Sequence, residues 1–299
     1  MARKSKMNPE ERRAYTAQMR AELEAVMDRA YGAMTAGEEF WSEVMRTAAA
    51  LPDRSPVNVI AIAAQCPGAT RVHGVSDWRK AGRYPAKGST SIRIWTPIRR
   101  RPDAPADTVA GAAQGVGEAP GSPADSNSRA VSGYKAAPVF DISQTGGDDY
   151  RHPAPLLTPA AAVRDTLVIQ YRQAYGEDPE AEGGFDFSGH APDDAARILL
   201  YGHALRRIAE ADVLVRGQRP AEVASAAHVA ALILGITPGP AVMPPLAGII
   251  TGDRKPPVHG AAVRVIETGR AIAEAVKASH QSVPAAAPGD LALRGCPTP

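Results

Sequence analysis

Residues 91–98 read Ser91-Ile92-Arg93-Ile94-Trp95-Thr96-Pro97-Ile98. Ile92, Ile94, Thr96 and Ile98 fall on one side of an extended chain, and Arg93 and Trp95 on the other. That period-two alternation predicts a half-buried strand. A second strand is expected over Tyr134 to Ser143, around Val139-Phe140-Asp141-Ile142, and a short one over Thr70 to His73. Between the two longer strands, residues 101–133 hold no aromatic residue, four prolines and five glycines. Such a stretch cannot bury enough apolar surface to offset its ordering entropy, so a disordered insertion is expected. With both flanking strands in one sheet, it is an excursion inside a domain and not a boundary.

Helical patterns surround these strands. Asn8-Pro9-Glu10-Glu11 has a capping residue, a first-turn proline and an acid closing a box-like pattern. Tyr15, Met19, Leu23, Val26, Met27, Ala30 and Met34 then recur at helical spacing up to Gly37. A second helix carries Phe40, Trp41, Val44, Met45 and Leu51, and a third runs from Val57 to Gln65 with Asn58 in its first turn. Ser76 to Ala81 makes one or two further turns ended by Gly82. After Tyr150 the chain is helical: Thr158-Pro159 to about Tyr175, Asp193 through Ile208, Pro220 to Gly235, and about Ala261 to Ser279. Residues 281–299 are Pro/Ala-rich without pattern and are expected to be a disordered tail. The fold class is therefore α+β, with N-terminal helices packed on a small antiparallel sheet (8–150) and a mainly helical second domain (151–280).

The chain has 299 residues, 34 Lys+Arg against 32 Asp+Glu, and two cysteines, Cys66 and Cys296. Two distant cysteines make no disulfide framework and argue for a reducing cytoplasm. The basic start Met1-Ala-Arg-Lys-Ser-Lys has no apolar region behind it, and no stretch reaches eighteen apolar residues, so no membrane partner is expected. The net charge of +2 hides a strong asymmetry. Residues 67–101 hold nine bases against the single acid Asp77, a net +8, whereas everything from Gly146 onward carries −3. Trp78, Tyr84 and Trp95 are interleaved with those bases. Cations that neutralise phosphates, beside rings on which unpaired bases can stack, suit a single nucleic-acid strand. Trp78 lies on an amphipathic turn, where a core role competes with a stacking one. Trp95 shares the Arg93 face.

The run Asn58, Ala63-Ala64-Gln65-Cys66-Pro67, Ala69-Thr70-Arg71-Val72-His73-Gly74, Trp78, Gly82-Arg83, Lys87-Gly88 and Val139-Phe140-Asp141-Ile142-Ser143-Gln144-Thr145 resembles one family. It is similar in order and spacing to the N-terminal domain of the ArdC-like antirestriction proteins of plasmids and other mobile elements, over about residues 10–150. The resemblance implies an α+β domain that binds single-stranded DNA. Arg71, Trp78, Arg79, Lys80, Arg83, Lys87, Arg93 and Trp95 are the candidate contacts. One departure is Ser89, where the family usually has Glu after Lys-Gly.

Full-length members of that family resemble two-domain proteins whose second half is an HExxH zinc peptidase, a motif that sets two His ligands one turn apart around a Glu base. Here Leu199-Leu200-Tyr201-Gly202-His203-Ala204-Leu205 aligns on it, so Leu199 and Leu200 stand in place of the first ligand and the base. Downstream only Glu222 remains acidic. The seven histidines, at 73, 152, 190, 203, 228, 259 and 280, include no i, i+4 pair, although His203 and His228 could meet across two helices. No phosphate loop of the GxxxxGK[ST] type and no GxSxG elbow occurs. The expectation is a non-enzymatic single-stranded-DNA-binding protein without cofactor, with a degenerate peptidase-like second half. The alternatives are a zinc peptidase with a rearranged site and a protein-interaction module; DNA mimicry would need an acidic surface, which the +8 segment opposes.

Overall fold

A computed structural model describes residues 8–99, 131–150, 158–181, 184–187, 189–209, 216–246 and 256–281. Helix α1 (Pro9–Ala36) starts as the sequence predicts: Asn8 Oδ1 accepts from the Glu11 amide at 2.7 Å, and Glu11 accepts from the Asn8 amide at 2.9 Å. Its first ten residues are exposed, and Met19, Leu23, Met27, Ala30 and Met34 then line its buried face. Helices α2 (Glu38–Ala50) and α3 (Pro56–Gln65) follow. Next come β1 (Val72–His73), α4 (Val75–Lys80), β2 (Arg83–Pro85), β3 (Ile92–Arg99), β4 (Val131–Asp141) and β5 (Thr145–Gly147). The second half consists of α5 (Ala160–Tyr175), α6 (Pro192–Ile208), α7 (Gln218–Leu234) and α8 (Pro257–Gln281). None of these helices is long and apolar enough to cross a membrane.

Strands β3 and β4 pair antiparallel with Ile92 opposite Val139 and Ile98 opposite Gly133, and β1 pairs on the far side of β4. The expected insertion thus joins two strands of one sheet. Residues 131–133 belong to β4, and the rest of the insertion, like residues 282–299 of the expected tail, lies outside the described residues. The other edge of β3 is covered by α3. The Asn58 side chain accepts from the Trp95 amide at 2.8 Å and donates to the Trp95 carbonyl at 2.9 Å. Two turns on, Gln65 does the same for Arg93, at 3.0 and 2.9 Å.

One face of the strand is buried and the other half-buried. Ile92, Ile94 and Val139 pack with Leu51, Ile62, Ala69 and Val72. The opposite face, which alternation leaves to Arg93 and Trp95, lies under α1: the Arg93 guanidinium pairs with Glu22 at 2.8 Å, and Arg20 sits over the Trp95 ring at 6.0 Å.

The larger apolar cluster runs without a break from α1, α2 and α3 to α5, α6, α7 and α8, so residues 8–150 and 151–280 share one core. Polar links cross it, among them the Tyr31 hydroxyl on α1 at 2.7 Å from His259 Nδ1 on α8. Trp41 on α2 donates to Ser225 on α7 at 2.9 Å, fully buried. Arg270 on α8 donates to the carbonyls of Ala48, Leu51 and Arg54. Ala48 O is one of the last carbonyls of α2, which has no partner within its own helix. Burial pushes the Arg270 guanidinium down to about 10 in spite of nearby Glu274, Asp53 and Glu267.

Arg270→Met leaves the buried Ala48 carbonyl without a partner, at roughly 1–3 kcal/mol, while Leu51 O keeps its bond from the Arg54 amide. Urea unfolding should retain one transition, because the core is shared, with a clearly lower midpoint; an unchanged midpoint would contradict this role.

Candidate nucleic-acid interface

The family-like segment from 139 to 145 is organised by one carboxylate. Asp141 Oδ1 accepts from the amides of Thr70 and Arg71, and Oδ2 from the amide and hydroxyl of Ser143, all between 2.7 and 3.0 Å. Gln144 closes the turn by accepting from the Asp141 amide at 2.9 Å. Burial alone would raise the Asp141 carboxyl; these hydrogen bonds outweigh it and hold the group below its ordinary value. The motif residues therefore build the fold around β1 and the turn into β5.

Strands β2 and β5, which the sequence pattern does not signal, form a separate ribbon with Arg83 opposite Gly147, Tyr84 opposite Gly146 and Pro85 opposite Thr145. The loop after β2 is fastened to Gln144. Its carbonyl accepts from the Ala86 amide at 2.9 Å and the Ser89 hydroxyl at 3.0 Å, and its side chain donates to Thr90 O at 2.8 Å. Ser89, the departure from the family pattern, is thus a local tie. Gly88 has φ 88°, a turn conformation that suits glycine.

This framework sorts the eight candidate contacts. Trp78 is fully buried: its Nε1 donates to Phe140 O at 2.9 Å, and the rings of His73 and Tyr150 meet it edge-on at 5.1 and 5.5 Å. It anchors the short α4 and presents no face to a base, which corrects its assignment as a contact. Arg83 clamps the ribbon through Thr145 Oγ1 at 3.0 Å, Thr145 O at 2.9 Å and Asp148 O, so its guanidinium is committed to the fold. Arg93 and Trp95 are covered by α1 as described above. A strand's alternation gives two faces but not what covers each, and here a helix 70 residues earlier in sequence covers the second.

Arg71 lies with its guanidinium 5.7 Å over the Tyr150 ring, half-buried. Arg79, Lys80 and Lys87 are exposed. Lys80 pairs with Asp77 at 3.0 Å, a surface pair with 78% and 54% of the two side chains in water, which solvent and salt screen. Arg79 and Lys87 form no ion pair among the described residues. Arg79 and Lys80 end α4, which packs on β2, and Lys87 follows β2, so the three cations flank one short strand. Tyr84, at the centre of that strand, is 56% exposed. The sequence offers a core role for Trp78 on its amphipathic turn but does not signal the exposure of Tyr84, which the pairing of β2 with β5 creates.

In the second half, Leu199 and Leu200 are fully buried core residues. His203 is buried, with Nε2 2.9 Å from Leu167 O and its ring against Tyr171. His228 engages Gly239 O at 2.6 Å, a different carbonyl on a different element. Glu222 is fully buried, accepting two hydrogen bonds from Arg264, at 2.6 and 2.9 Å, and one from Gln218 at 2.8 Å. No group of three or more His, Cys, Asp or Glu that could hold a metal occurs among the described residues. The residues at the positions that the resemblance gives to a zinc site do not fit one: two are aliphatic, and the carboxylate already has a fixed cation partner.

Arg264→Ala should cost about 3 kcal/mol, the low end for a buried pair, because Arg264 keeps a third of its side chain in water. The double variant Glu222→Gln/Arg264→Met should recover much of that loss in urea titrations. Acid stability should fall in two stages. Burial lowers the pKa of His203 and His228 below the ordinary 6.5. The unfolded chain therefore takes up protons that the folded one refuses, and stability drops as pH falls below about 6.5. Asp141, lowered from 3.8, adds stability that is present above that value and is lost as pH falls through its folded value. Midpoints unchanged between pH 7 and 5 would contradict the first stage.

No family model and no curated protein matches the chain. Among solved structures, the chain is similar to the metal-free crystal structure of the antirestriction ArdC protein from the R388 plasmid. Identity is 14%, the match covers 86% of this chain and 98% of that chain, and the TM-score is 0.46.

Proposed function

We propose that this chain binds single-stranded DNA through Arg79, Lys80 and Lys87, and that it serves, without catalysis, in antirestriction or in the establishment of a mobile element's DNA in the cytoplasm. The observation that carries the reading is the concentration of base in residues 67–101, together with the exposure of those three cations around β2. Exposed cations not committed to fold contacts are available to neutralise phosphates and release counterions. The motif resemblance of residues 58–145 supports the choice of a single strand over a duplex. The aliphatic Leu199 and Leu200 and the Glu222–Arg264 pair support a second half that packs rather than cleaves.

Binding to matched single- and double-stranded oligonucleotides across a salt series tests it. The expected result is tighter binding to the single strand, with affinity falling as salt rises. Arg79→Ala and Lys87→Ala should each flatten the logarithmic salt slope by about 0.7. Arg83→Ala should instead lower stability, since its guanidinium holds the ribbon. Weak, equal and salt-insensitive binding to both DNAs would overturn the reading.

A further inference from the structure

Resting on that reading, we propose that Tyr84 is the residue that distinguishes single-stranded from double-stranded DNA, by stacking on an unpaired base over a stretch of ribbon kept bare by Gly146 and Gly147. Along β2 the neighbours Arg83 and Pro85 are half-buried, whereas Tyr84 is 56% exposed. In an antiparallel pair an aromatic ring is ordinarily covered by the side chain directly opposite it. Opposite Tyr84 stands Gly146, and a Cβ built there would meet nothing within 4 Å, so the space beside the ring is open. At Gly147 the backbone itself excludes a side chain. Its φ is 130°, and a Cβ would lie 2.3 Å from Gly82 O. The strand across from Tyr84 therefore presents peptide groups and no side chains at these two positions.

The support beneath the ring is rigid. The Arg83 guanidinium ties β2 to Thr145 on β5, and the following loop is tied to Gln144 from both ends. A strand held in place before binding loses little backbone freedom when its ring stacks. Arg79 and Lys80 precede it in the chain and Lys87 follows it, all three exposed, so the cations bracket the strand that carries the ring. The two contributions differ in what they read. Phosphate neutralisation acts on single and double strands alike, whereas a ring face can take only a base that has left its stack. Selectivity for the single strand is thereby concentrated in one side chain.

The test measures wild type, Tyr84→Phe, Tyr84→Leu and Tyr84→Trp against an oligo(dT) strand and a duplex of equal length over the same salt series. Tyr84→Leu should weaken oligo(dT) binding by roughly five- to 150-fold, the range of one stacked base. Its salt slope and its duplex affinity should stay unchanged. Tyr84→Phe should bind as wild type, since the ring face is retained. Tyr84→Trp should bind at least as tightly, with its exposed indole fluorescence quenched on saturation. Thermal unfolding like wild type shows that the ribbon is intact. Unaltered oligo(dT) binding by Tyr84→Leu, equal losses on both DNAs, or an unquenched Tyr84→Trp would overturn the role of Tyr84 while leaving the binding function standing. Wild-type protein that fails to prefer the single strand would overturn the function itself, and this assignment with it.

Discussion

Two side-chain amides hold the outer edge of β3. Asn58 and Gln65 each supply a donor and an acceptor, and between them they pair both backbone groups of Trp95 and of Arg93. An edge strand otherwise offers unpaired amides and carbonyls to other chains. Here a helix completes the pairing without another strand. The two prolines of the β3–β4 pair fit this arrangement. Pro97 has the same parity as Arg93 and Trp95, so its missing amide falls on the α3 side and breaks no β4 bond. Pro138, opposite Arg93, lies beyond the end of β1. With β3 fixed against α3, Ile92 and Ile94 face one apolar cluster, and Arg93 and Trp95 face α1.

Much of this architecture is legible in the sequence, because local patterns determine it. The Asn8–Glu11 box, the methionine stripe of α1, the alternation of β3 and the placement of a proline- and glycine-rich connection between paired strands all follow from spacing and propensity. The interface is less legible, because exposure is a tertiary property. Arg83 and Arg79 are four residues apart with the same charge, yet one is fastened to Thr145 and the other faces water. Trp78 and Tyr84 both sit among bases, yet one anchors a helix and the other stands on a ribbon. That ribbon is two strands of three residues, one with two glycines, too short and too glycine-rich for a period to register. The family-like motif around Asp141 marks turn chemistry rather than contact.

The charge asymmetry also has a structural counterpart. In the basic segment the committed cations, Arg83 and Arg93, satisfy carbonyls, a hydroxyl or a single Glu, Arg71 lies half-buried over Tyr150, and Arg79, Lys80 and Lys87 are exposed. In the second half Arg264 is matched to a buried carboxylate, and Arg206 lies over Tyr171 and Tyr175 while bonding to Glu177. These two cations tie separate elements together. The same residue type thus does two kinds of work, divided by whether an acceptor on another element lies within reach.

The Arg270 contacts also give folding an order in time. The carbonyl of Ala48 and the guanidinium that covers it lie 222 residues apart in the chain. At 5–20 residues per second, on the order of ten to forty seconds of synthesis separate the emergence of α2 from that of its cap. Throughout that interval the end of α2, the start of α3 and the apolar faces that await α7 and α8 are exposed on a nascent chain. The sheet can pair before that, since all its strands precede residue 148, but the helical core that supports it can close only when α8 has left the ribosome.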